Sequence, residues 1–236
     1  MRLNNYISSS GLCSRRKADE LIKNNKVKVN YKIADLGYRV IEGDIVEVDG
    51  KTIKPKEDKV YIALYKPVGI ICTTERHIEG NIVDYVNYKE RIFPIGRLDK
   101  DSEGLILLTN DGDIVNRILR EENYHEKEYI VTVDKSLDSK ILKQMSQGVR
   151  IYNPVKNTYT ITKPCQIDKI SEKTFKIILS QGLNRQIRRM CQYFGYKVRK
   201  LKRVRVLNVT LDGLSYGKWR LLNPNEVSSL KAKIDV

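Results

Sequence analysis

Residues 96–112 read G-R-L-D-K-D-S-E-G-L-I-L-L-T-N-D-G, and this stretch joins an acidic loop to an apolar strand. The run Leu105–Thr109 is short and almost wholly apolar, which favours a strand. Asp99, Asp101 and Glu103 lie in the loop directly before it. Either these carboxylates are ordinary solvated turn residues, or one of them performs chemistry on an anion that the rest of the protein holds.

The net charge of the chain favours a polyanion as partner. The 236 residues include 44 Lys and Arg against 29 Asp and Glu, which gives a formal charge of +15 and a pI near 9.6. Tyr is the most frequent aromatic residue, with 14 copies against three Phe and one Trp, and tyrosine rings suit a surface that stacks on bases. Some proteins use Lys and Tyr freely without binding nucleic acid, so composition alone leaves this question open.

Composition also argues against several classes of site and segment. Apolar residues make up 41% and charged residues 31%, which is ordinary for a globular protein of one large or two small domains. The four cysteines lie far apart without a C-x-x-C pair, and with only two histidines we expect neither a metal site nor a disulfide. No segment approaches the roughly 18 apolar residues of a membrane span, and the N-terminus lacks the apolar core of a signal peptide. These observations predict a cytoplasmic protein. The cysteines and histidines mentioned above are Cys13, Cys72, Cys165, Cys191, His77 and His125.

The first 50 residues have the pattern of a small separate domain. Ser14 can cap a helix that presents Ala18, Leu21 and Ile22 on one face. Residues 51–59 are charged, contain a proline and lack a clear apolar period, so they are predicted to be a linker. The elements predicted before that linker are a short helix at 2–7, the helix from Ser14, a strand at 27–30 and a strand within 43–50 that closes with an Asp-Gly turn.

The first turn of the second helix is basic. Arg15, Arg16 and Lys17 place positive charge at a helix N-terminus, where the helix dipole disfavours it. A bound anion offsets that small cost, so the cluster is a candidate for phosphate contact. A merely solvated basic turn is nearly as good an interpretation of these three residues alone.

Residues 60–236 alternate apolar strands with amphipathic helices, which predicts an α+β domain around a mixed, largely antiparallel sheet flanked by helices. The last helix opens with Asn223, Pro224 and Glu226, a good capping arrangement with Pro at the first helical position. Predicted strands are 60–65, 105–109, 129–133, 175–179 and 204–211. Predicted helices are 113–120, 137–147, 184–194 and 224–234.

The predicted helix at 184–194 carries both an apolar stripe and a basic face. Its apolar positions Ile187, Met190, Cys191 and Phe194 are spaced as one buried stripe, with Asn184 as the expected N-cap and Gly195 as the expected terminator. Arg185 and Arg189 point away from that stripe, whereas Arg188 lies at its border. A border arginine can have its stem packed and its guanidinium fixed, which suits pairing with a carboxylate. The basic stretch 197–205 adds further side chains expected to reach phosphates.

Two parts of the chain resemble known families. The N-terminal order of elements resembles an S4-type RNA-binding domain, and the matching stretches are L-x-x-Y-I at 3–7, G-L-C-S-R-R-K-A-D-E-L-I at 11–22, V-K-V-N at 27–30 and G-D-I-V-E-V at 43–48. The rest is similar to a pseudouridine synthase of the RsuA/RluB/RluE/RluF group, most closely its RluF branch. Five stretches carry that resemblance: Y-K-P-V-G at 65–69, G-R-L-D-K-D-S-E-G-L at 96–105, H-E-K-E-Y at 125–129, L-N-R-Q-I-R-R-M-C-Q-Y-F-G-Y at 183–196 and G-K-W-R-L-L at 217–222.

The resemblance implies roles for individual residues. It implies that Asp99 is the catalytic aspartate, that Tyr129 packs on the target base and that Arg188 is the basic partner of Asp99. Arg97 is expected to organise the loop or contact RNA, and the wider RNA-binding set comprises Arg15, Arg16, Lys17, Arg97, Arg185 and Arg189. Asp101 and Glu103 take no catalytic role and are expected to be turn residues, and the Lys66-Pro67 pair is expected to be structural.

The implied reaction converts uridine into its C-glycoside isomer in ribosomal RNA. Atoms and oxidation state balance, so no cofactor or metal is required, and the chain shows no phosphate-cradling glycine loop. An ionised carboxylate can stabilise or trap the positive character that develops at C1′ when the glycosidic bond breaks. Whether Asp99 attacks C1′ or removes a ribose proton is left open by the sequence.

Three alternatives stay open at this point. A non-enzymatic S4-type RNA-binding protein shares the basic charge but does not need Asp99. A glycosidase also acts at an anomeric carbon, but it usually needs two carboxylates at a defined separation. Within the synthases, 23S ribosomal RNA is the expected substrate, with tRNA as a possible second substrate and 16S ribosomal RNA as a less favoured one. A monomer without membrane association is expected.

Overall fold

The computed structural model describes residues 1–119, 125–154 and 157–234. Its chain forms two compact units. The first comprises residues 1–60, 88–92 and 109–112, and the second comprises residues 61–87, 93–108 and 113–236. Within the described residues, no helix combines the length and the apolar character needed to cross a membrane.

The first unit packs two helices on a four-stranded antiparallel sheet. Helix α1 spans Leu3–Ser9 and helix α2 spans Arg15–Lys23, and their buried residues include Ile7, Ala18 and Ile22. The Ser14 side chain caps α2 by accepting a hydrogen bond from the Lys17 amide at 3.1 Å, as the sequence predicts. The strands are β1 (Val27–Val29), β2 (Lys32–Ile33), β3 (Val46–Val48) and β4 (Lys51–Ile53), in the order β2-β1-β3-β4.

The Asp-Gly pair after β3 makes a tight hairpin. Asp49 and Gly50 both have positive φ, 47° and 76°, and Val48 pairs with Lys51 across the two-residue loop. This geometry matches the turn that Asp-Gly favours between antiparallel strands. The expectation that the linker starts at Lys51 is therefore wrong for Lys51–Ile53, because the turn directs these residues back along β3 as a strand.

The second unit is built on a nine-stranded mixed sheet. Its central path runs β11-β12-β8-β13-β7-β5-β15, while β14 pairs with β13 and β6 pairs with β7. Strands β13 and β7 are parallel, whereas β13 is antiparallel to β8 and β8 to β12. The strands are β5 (Tyr61–Lys66), β6 (Phe93–Ile95), β7 (Glu103–Thr109), β8 (Lys127–Val133), β11 (Gln166–Lys169), β12 (Thr174–Leu179), β13 (Val198–Val206), β14 (Val209–Thr210) and β15 (Trp219–Leu221); a separate hairpin joins β9 (Arg150–Asn153) to β10 (Thr158–Ile161). The mixed sheet of the sequence-based prediction is confirmed.

Helices cover this sheet. They are α3 (Ile82–Val86), α4 (Gly112–Leu119), α5 (Ser139–Ser146), α6 (Gln186–Tyr193) and α7 (Pro224–Ile234). The bounds of α7 are as predicted, and its cap is reciprocal: the Glu226 amide donates to Asn223 Oδ1 and the Asn223 amide donates to Glu226 Oε2, both at 2.9 Å. The predicted end of α4 at Arg120 lies outside the described residues.

The structure differs from the predicted secondary structure in two ways. Elements that were not predicted are helix α3 and the short strands β2, β4, β6, β9, β10, β11 and β15, because few residues per element leave little periodicity to detect. The predicted single strand at 204–211 is wrong. The chain turns at Leu207, whose φ is 52°, so the segment is the end of β13 followed by β14.

The buried strand β7 determines where the acidic loop is held. All seven of its residues are buried, and Leu105 and Leu107 pack in one core cluster with Ile118 of α4 and Leu230 of α7. A second cluster joins α6 to β8 and β12 through Met190, Val131, Phe175 and neighbouring residues. The loop before β7 and the helix α6 are thus fixed by well-packed cores.

Gly104 allows β7 and β13 to approach each other closely. Its φ is +118°, and a Cβ added there would lie 2.2 Å from the carbonyl oxygen of Arg203 and 2.4 Å from its nitrogen. Only glycine fits this position, both because of the backbone conformation and because of the space available.

We expect Gly104→Ala to destabilise the protein by about 3 kcal/mol or more, because it adds a clash with backbone atoms to the strain of a positive φ. Urea unfolding measures the change. Gly213→Ala is the matched control, since Gly213 also has a positive φ of +71° but has no atom within 4 Å of the added Cβ. It should cost about 1–2 kcal/mol. Equal destabilisation by the two variants would contradict the close approach.

Candidate active site

A cavity of about 990 Å³ opens at the acidic loop of the second unit. Residues of the loop after β6, of β8, of β13 and of the turn before α6 line it. Asp99 and Tyr129, which the sequence analysis assigned to one site, both line this cavity. Its charged and aromatic lining includes Arg97, Asp99, Tyr129, Arg185 and Arg203.

Asp99 lies beside two arginines. Its Oδ2 is 3.4 Å from Nη1 of Arg185 and 3.9 Å from Nε of Arg188, and its side chain is 30% exposed. The Ser102 amide donates to the Asp99 carbonyl oxygen at 3.1 Å and so closes the loop as a turn. Asp99 is thus a partly buried carboxylate, open to the cavity and surrounded by positive charge.

Arg188 is anchored to the acidic loop through one nitrogen of its guanidinium. Its side chain is 14% exposed, and Nη2 donates to the Asp101 carbonyl oxygen at 3.1 Å and to Ser102 Oγ at 3.0 Å. Its Nε is buried and lacks a hydrogen bond within the described parts of the chain, with Asp99 Oδ2 as its nearby anion. The packed border arginine expected from the helical phase is present, and it connects α6 to the acidic loop.

The N-terminus of α6 differs from the prediction. The helix begins at Gln186, so the expected N-cap Asn184 is wrong: Arg185 occupies the cap position, in the left-handed conformation with φ 50°. Arg185 therefore does not follow the helical phase assumed for it and turns toward the loop. The other end is as predicted, since the amides of Gly195 and Tyr196 donate to the carbonyls of Gln192 and Cys191 around a glycine with φ +73°.

Arg185 and Asp101 form a bidentate ion pair. Nη1 donates to Oδ1 at 3.1 Å and Nη2 donates to Oδ2 at 3.0 Å. The hydrogen bond from Arg185, together with the charge of Arg188, lowers the pKa of Asp101 below its usual value. Asp101 was expected to be a turn residue with no further part, whereas the structure uses it to hold Arg185 against Asp99.

Tyr129 lies on β8 at the cavity wall. Tyr129 is half-buried, and in the sheet it is paired with Ile177 of β12 on one side and with Arg203 of β13 on the other. Directly opposed residues of adjacent strands carry their side chains on the same face of the sheet. Tyr129 packs against the core cluster that joins α6 to β8 and β12, and it also lines the cavity.

The other predicted RNA-contacting residues of this unit have different surroundings. Arg97 is exposed at the cavity rim and makes no hydrogen bond or ion pair to another described residue. Arg189 is tied to the protein: it donates to the Asn184 side chain and carbonyl and, at 2.8 Å, to the Tyr152 carbonyl. Arg97 is thus available to a ligand, while Arg189 also fixes the turn before α6.

In the first unit the three basic residues of α2 differ as well. Arg15 donates to Asn5 Oδ1 at 3.0 Å, and Lys17 forms an exposed ion pair with Glu20 at 2.8 Å. Arg16 is exposed and has no hydrogen bond or ion pair to the rest of the described chain. The basic first turn is therefore a surface feature on which Arg16 extends into solvent.

Several charged residues near the site are internal, which corrects two expectations. Glu103 is not a turn residue: it starts β7, is 7% exposed, accepts a hydrogen bond from the Tyr65 hydroxyl at 3.2 Å and pairs with Lys200 at 3.1 Å. Burial and the nearby Glu103 charge raise the pKa of Tyr65 to about 12. Arg203 and Arg205 do not reach outward to phosphates as expected of the basic stretch, because Arg203 is buried and Arg205 pairs with the two glutamates of the H-E-K-E-Y stretch.

Lys66 has the structural part expected of the Y-K-P-V-G stretch. It is fully buried, and its Nζ donates to the carbonyls of Pro67 and Ile70 at 2.8 Å each, which holds the following loop. Among the described residues, no group of three or more His, Cys, Asp or Glu side chains is arranged to hold a metal ion. The sequence analysis missed the internal contacts of Asp101, Glu103 and Arg203. These residues lie in charged runs, where residue spacing does not show which side chains form contacts inside the protein.

Comparisons with known proteins show which families the chain resembles. Residues 60–193 match the family model described as RNA pseudouridylate synthase, and residues 1–46 match that of the S4 domain. The chain is 54% identical over 231 residues to the dual-specificity RNA pseudouridine synthase RluF of Salmonella typhi, covering 97% of this chain and 78% of that protein. It is 38% identical to the ribosomal large subunit pseudouridine synthase B of Bacillus subtilis, covering 99% and 97%. A crystal structure of a pseudouridylate synthase matches with a TM-score of 0.70 and 26% identity, covering 98% of this chain and 99% of that one.

The ion pair of Asp101 leads to a pH-dependent expectation. The pKa of Asp101, followed by carboxyl carbon NMR, should lie below the usual value of about 3.9. Because the folded-state pKa is lowered, the pair contributes stability above about pH 4 and loses it as the pH falls through the lowered value.

Arg185→Gln should move the pKa of Asp101 upward, because it removes the bidentate donor. Arg189→Gln is the control, since Arg189 bonds to Asn184 and Tyr152 instead and should leave that pKa in place. An unchanged pKa in the Arg185 variant would mean that the pair does not form in solution.

Proposed function

Because this chain belongs to the RNA pseudouridylate synthase family, we propose that it isomerises specific uridines of ribosomal RNA to pseudouridine, with Asp99 as the catalytic carboxylate. One observation carries the assignment of the residue. Asp99 is the acid that lies in the cavity within 4 Å of two guanidinium groups, and Tyr129 lines the same cavity. The N-terminal part of the chain, which matches the S4 domain, supplies a second basic surface through α2.

The chemistry asks for an anion at the sugar. When the N1–C1′ bond breaks, positive character develops at C1′, and a carboxylate positioned there stabilises or traps it. Arg185 and Arg188 place positive charge beside Asp99 and hold its loop to α6 through Asp101 and Ser102. The loop then needs no rearrangement to present its acid, which is the main advantage of a preorganised site.

The target nucleotide has to leave its stack to reach this acid. Tyr129 offers a ring on which the extruded base packs, so that the base stays held while it rotates between the two bonding positions. We assign the phosphate contacts of the flanking RNA to six basic side chains. Two of them, Arg97 at the rim and Arg16 on α2, are exposed, and the others are Arg15, Lys17, Arg185 and Arg189.

We assign large-subunit ribosomal RNA as the substrate, with tRNA as a second one. Support comes from the relatives: one is named for the ribosomal large subunit and another for dual specificity toward RNA. All groups assigned to the reaction come from one chain, so a monomer acting in the cytoplasm suffices. Neither a metal nor a cofactor enters the proposal, because the isomerisation conserves atoms and oxidation state.

Asp99→Asn should give no detectable pseudouridine, because the amide keeps the shape of the side chain but cannot act as an anion. RNA affinity should stay close to that of the original chain. Carbodiimide primer extension on ribosomal RNA from a strain that lacks the gene, complemented with either form, maps the product, and filter binding measures the affinity. Pseudouridine made by the Asn variant at the same positions would refute the role of Asp99, and none made by the original chain would favour a binding protein without catalysis.

Arg188→Leu should lower kcat by about 10²–10³-fold, the loss typical of one preorganised electrostatic contact, with a much smaller change in RNA affinity. Single-turnover kinetics separate the two effects. Arg189→Leu is the neighbouring control: it should weaken binding and leave kcat nearly unchanged. Equal losses of rate and affinity for Arg188→Leu would contradict its pairing role.

A further inference from the structure

Arg203 is a buried cation whose charge is not matched. The residue is 3% exposed on β13, and its Nε donates to the Leu105 carbonyl oxygen at 2.6 Å. Its Nη2 is buried and has no hydrogen-bond partner, and across residues 1–119, 125–154 and 157–234 Arg203 forms no ion pair. A buried guanidinium without an anion is unfavourable by several kcal/mol, so the position calls for an explanation.

None of the described residues near Arg203 supplies the missing anion. Glu103, on the adjacent strand, instead accepts a hydrogen bond from the Tyr65 hydroxyl and pairs with Lys200, both through Oε1. Cys72 is close enough to feel the charge of Arg203, but burial raises the pKa of its thiol, which therefore stays neutral. Lys66 adds a second buried basic group to the same region.

Arg203 faces the cavity that holds Asp99. It lines that cavity together with Leu201, the residue two positions earlier on the same face of β13. Its cross-strand neighbour is Tyr129, and its neighbour on the other side is Gly104, which has no side chain to cover it. Arg203 and Tyr129 are thus neighbours across two adjacent strands, and both line the cavity in which the base is proposed to pack.

We propose that Arg203 binds a carbonyl oxygen of the target uracil and stabilises the anion that the base becomes when its glycosidic bond breaks. This inference rests on the proposed function and extends it from the sugar to the base. Asp99 acts at C1′, and Arg203 acts on the departing ring as an electrostatic catalyst.

The electron balance explains why a cation is needed on that side. The pair of the N1–C1′ bond leaves with the base, and the resulting negative charge spreads from N1 over O2 and O4. After the base rotates, C5 uses an electron pair of the ring to bond to C1′, and the proton of C5 is transferred so that N1 becomes N–H. A guanidinium in a low-dielectric pocket stabilises the intermediate anion far more than it stabilises neutral uridine.

The test compares two leaving bases in Arg203→Gln. RNA substrates carry either uridine or 5-fluorouridine at the target, and single-turnover loss of the original nucleoside is followed by chromatography after nuclease digestion. Fluorine lowers the pKa of the departing base, so its anion depends less on an external cation. We expect the variant to lose about 10²-fold on uridine. The rate ratio of 5-fluorouridine to uridine should rise about threefold or more over the wild-type ratio.

Arg205→Gln is the matched control. Arg205 lies two residues further along β13 and is paired with Glu126 and Glu128. Its variant therefore alters the same strand and removes one positive charge, but at a position that does not line the cavity. Its rate ratio should equal that of the wild type. A similar rise in the Arg205 variant, or an equal slowing of both substrates by Arg203→Gln, overturns the inference and leaves Arg203 a structural residue.

A second variant keeps the test decisive if Arg203→Gln does not fold, as judged by circular dichroism. Arg203→Lys retains the charge but removes the forked donor, so a smaller rise of the same ratio is expected, and an unchanged ratio again overturns the inference. A wild-type chain that leaves uridine unchanged contradicts the proposed function itself, whereas normal wild-type turnover with an unchanged ratio in the variants contradicts only the part assigned to Arg203.

Discussion

The close approach of β7 and β13 at Gly104 is the constraint on which the rest of the catalytic unit depends. A strand buried along its whole length lies here in parallel with a strand rich in lysine and arginine, and only the absence of a Cβ permits the contact. The acidic loop leads directly into this contact, since Gly104 follows Ser102 by two residues and Asp99 by five. Because only glycine allows this approach, the position of the loop next to β13 depends on Gly104.

Positive charge in this protein is divided between two uses. Exposed arginines such as Arg16 and Arg97 suit contact with phosphates, in keeping with the excess of basic residues. Arg188 is packed against the acidic loop, Arg185 pairs with that loop while its side chain stays 40% exposed, and Arg203 lines the cavity with a charge that no described residue neutralises. The overall charge of +15 therefore overstates the basic surface available to RNA, and part of it instead organises the site.

Much of the fold was predictable from residue pattern. The elements that were predicted are those with several turns or a long apolar run, such as α7 with its reciprocal cap and β7. Arg188 was assigned to a packed border from helical phase, and that held because α6 is regular beyond Gln186. Arg185 was misjudged since it precedes the helix in a left-handed conformation, which a bidentate bond to Asp101 holds in place. Helical phase does not apply to a residue outside the helix.

The amino-acid sequence by itself determined the class of the protein, the motif that carries Asp99 and the apolar stripe that anchors α6, because these depend on residue type and on local spacing. Only the tertiary structure decided which charged side chains are buried or paired within the protein. Asp101, Glu103 and Arg203 are charged residues in polar-looking runs, and their partners lie 38 to 98 positions away in the chain. Pairing of that kind follows from strand register and close packing, which no local pattern encodes.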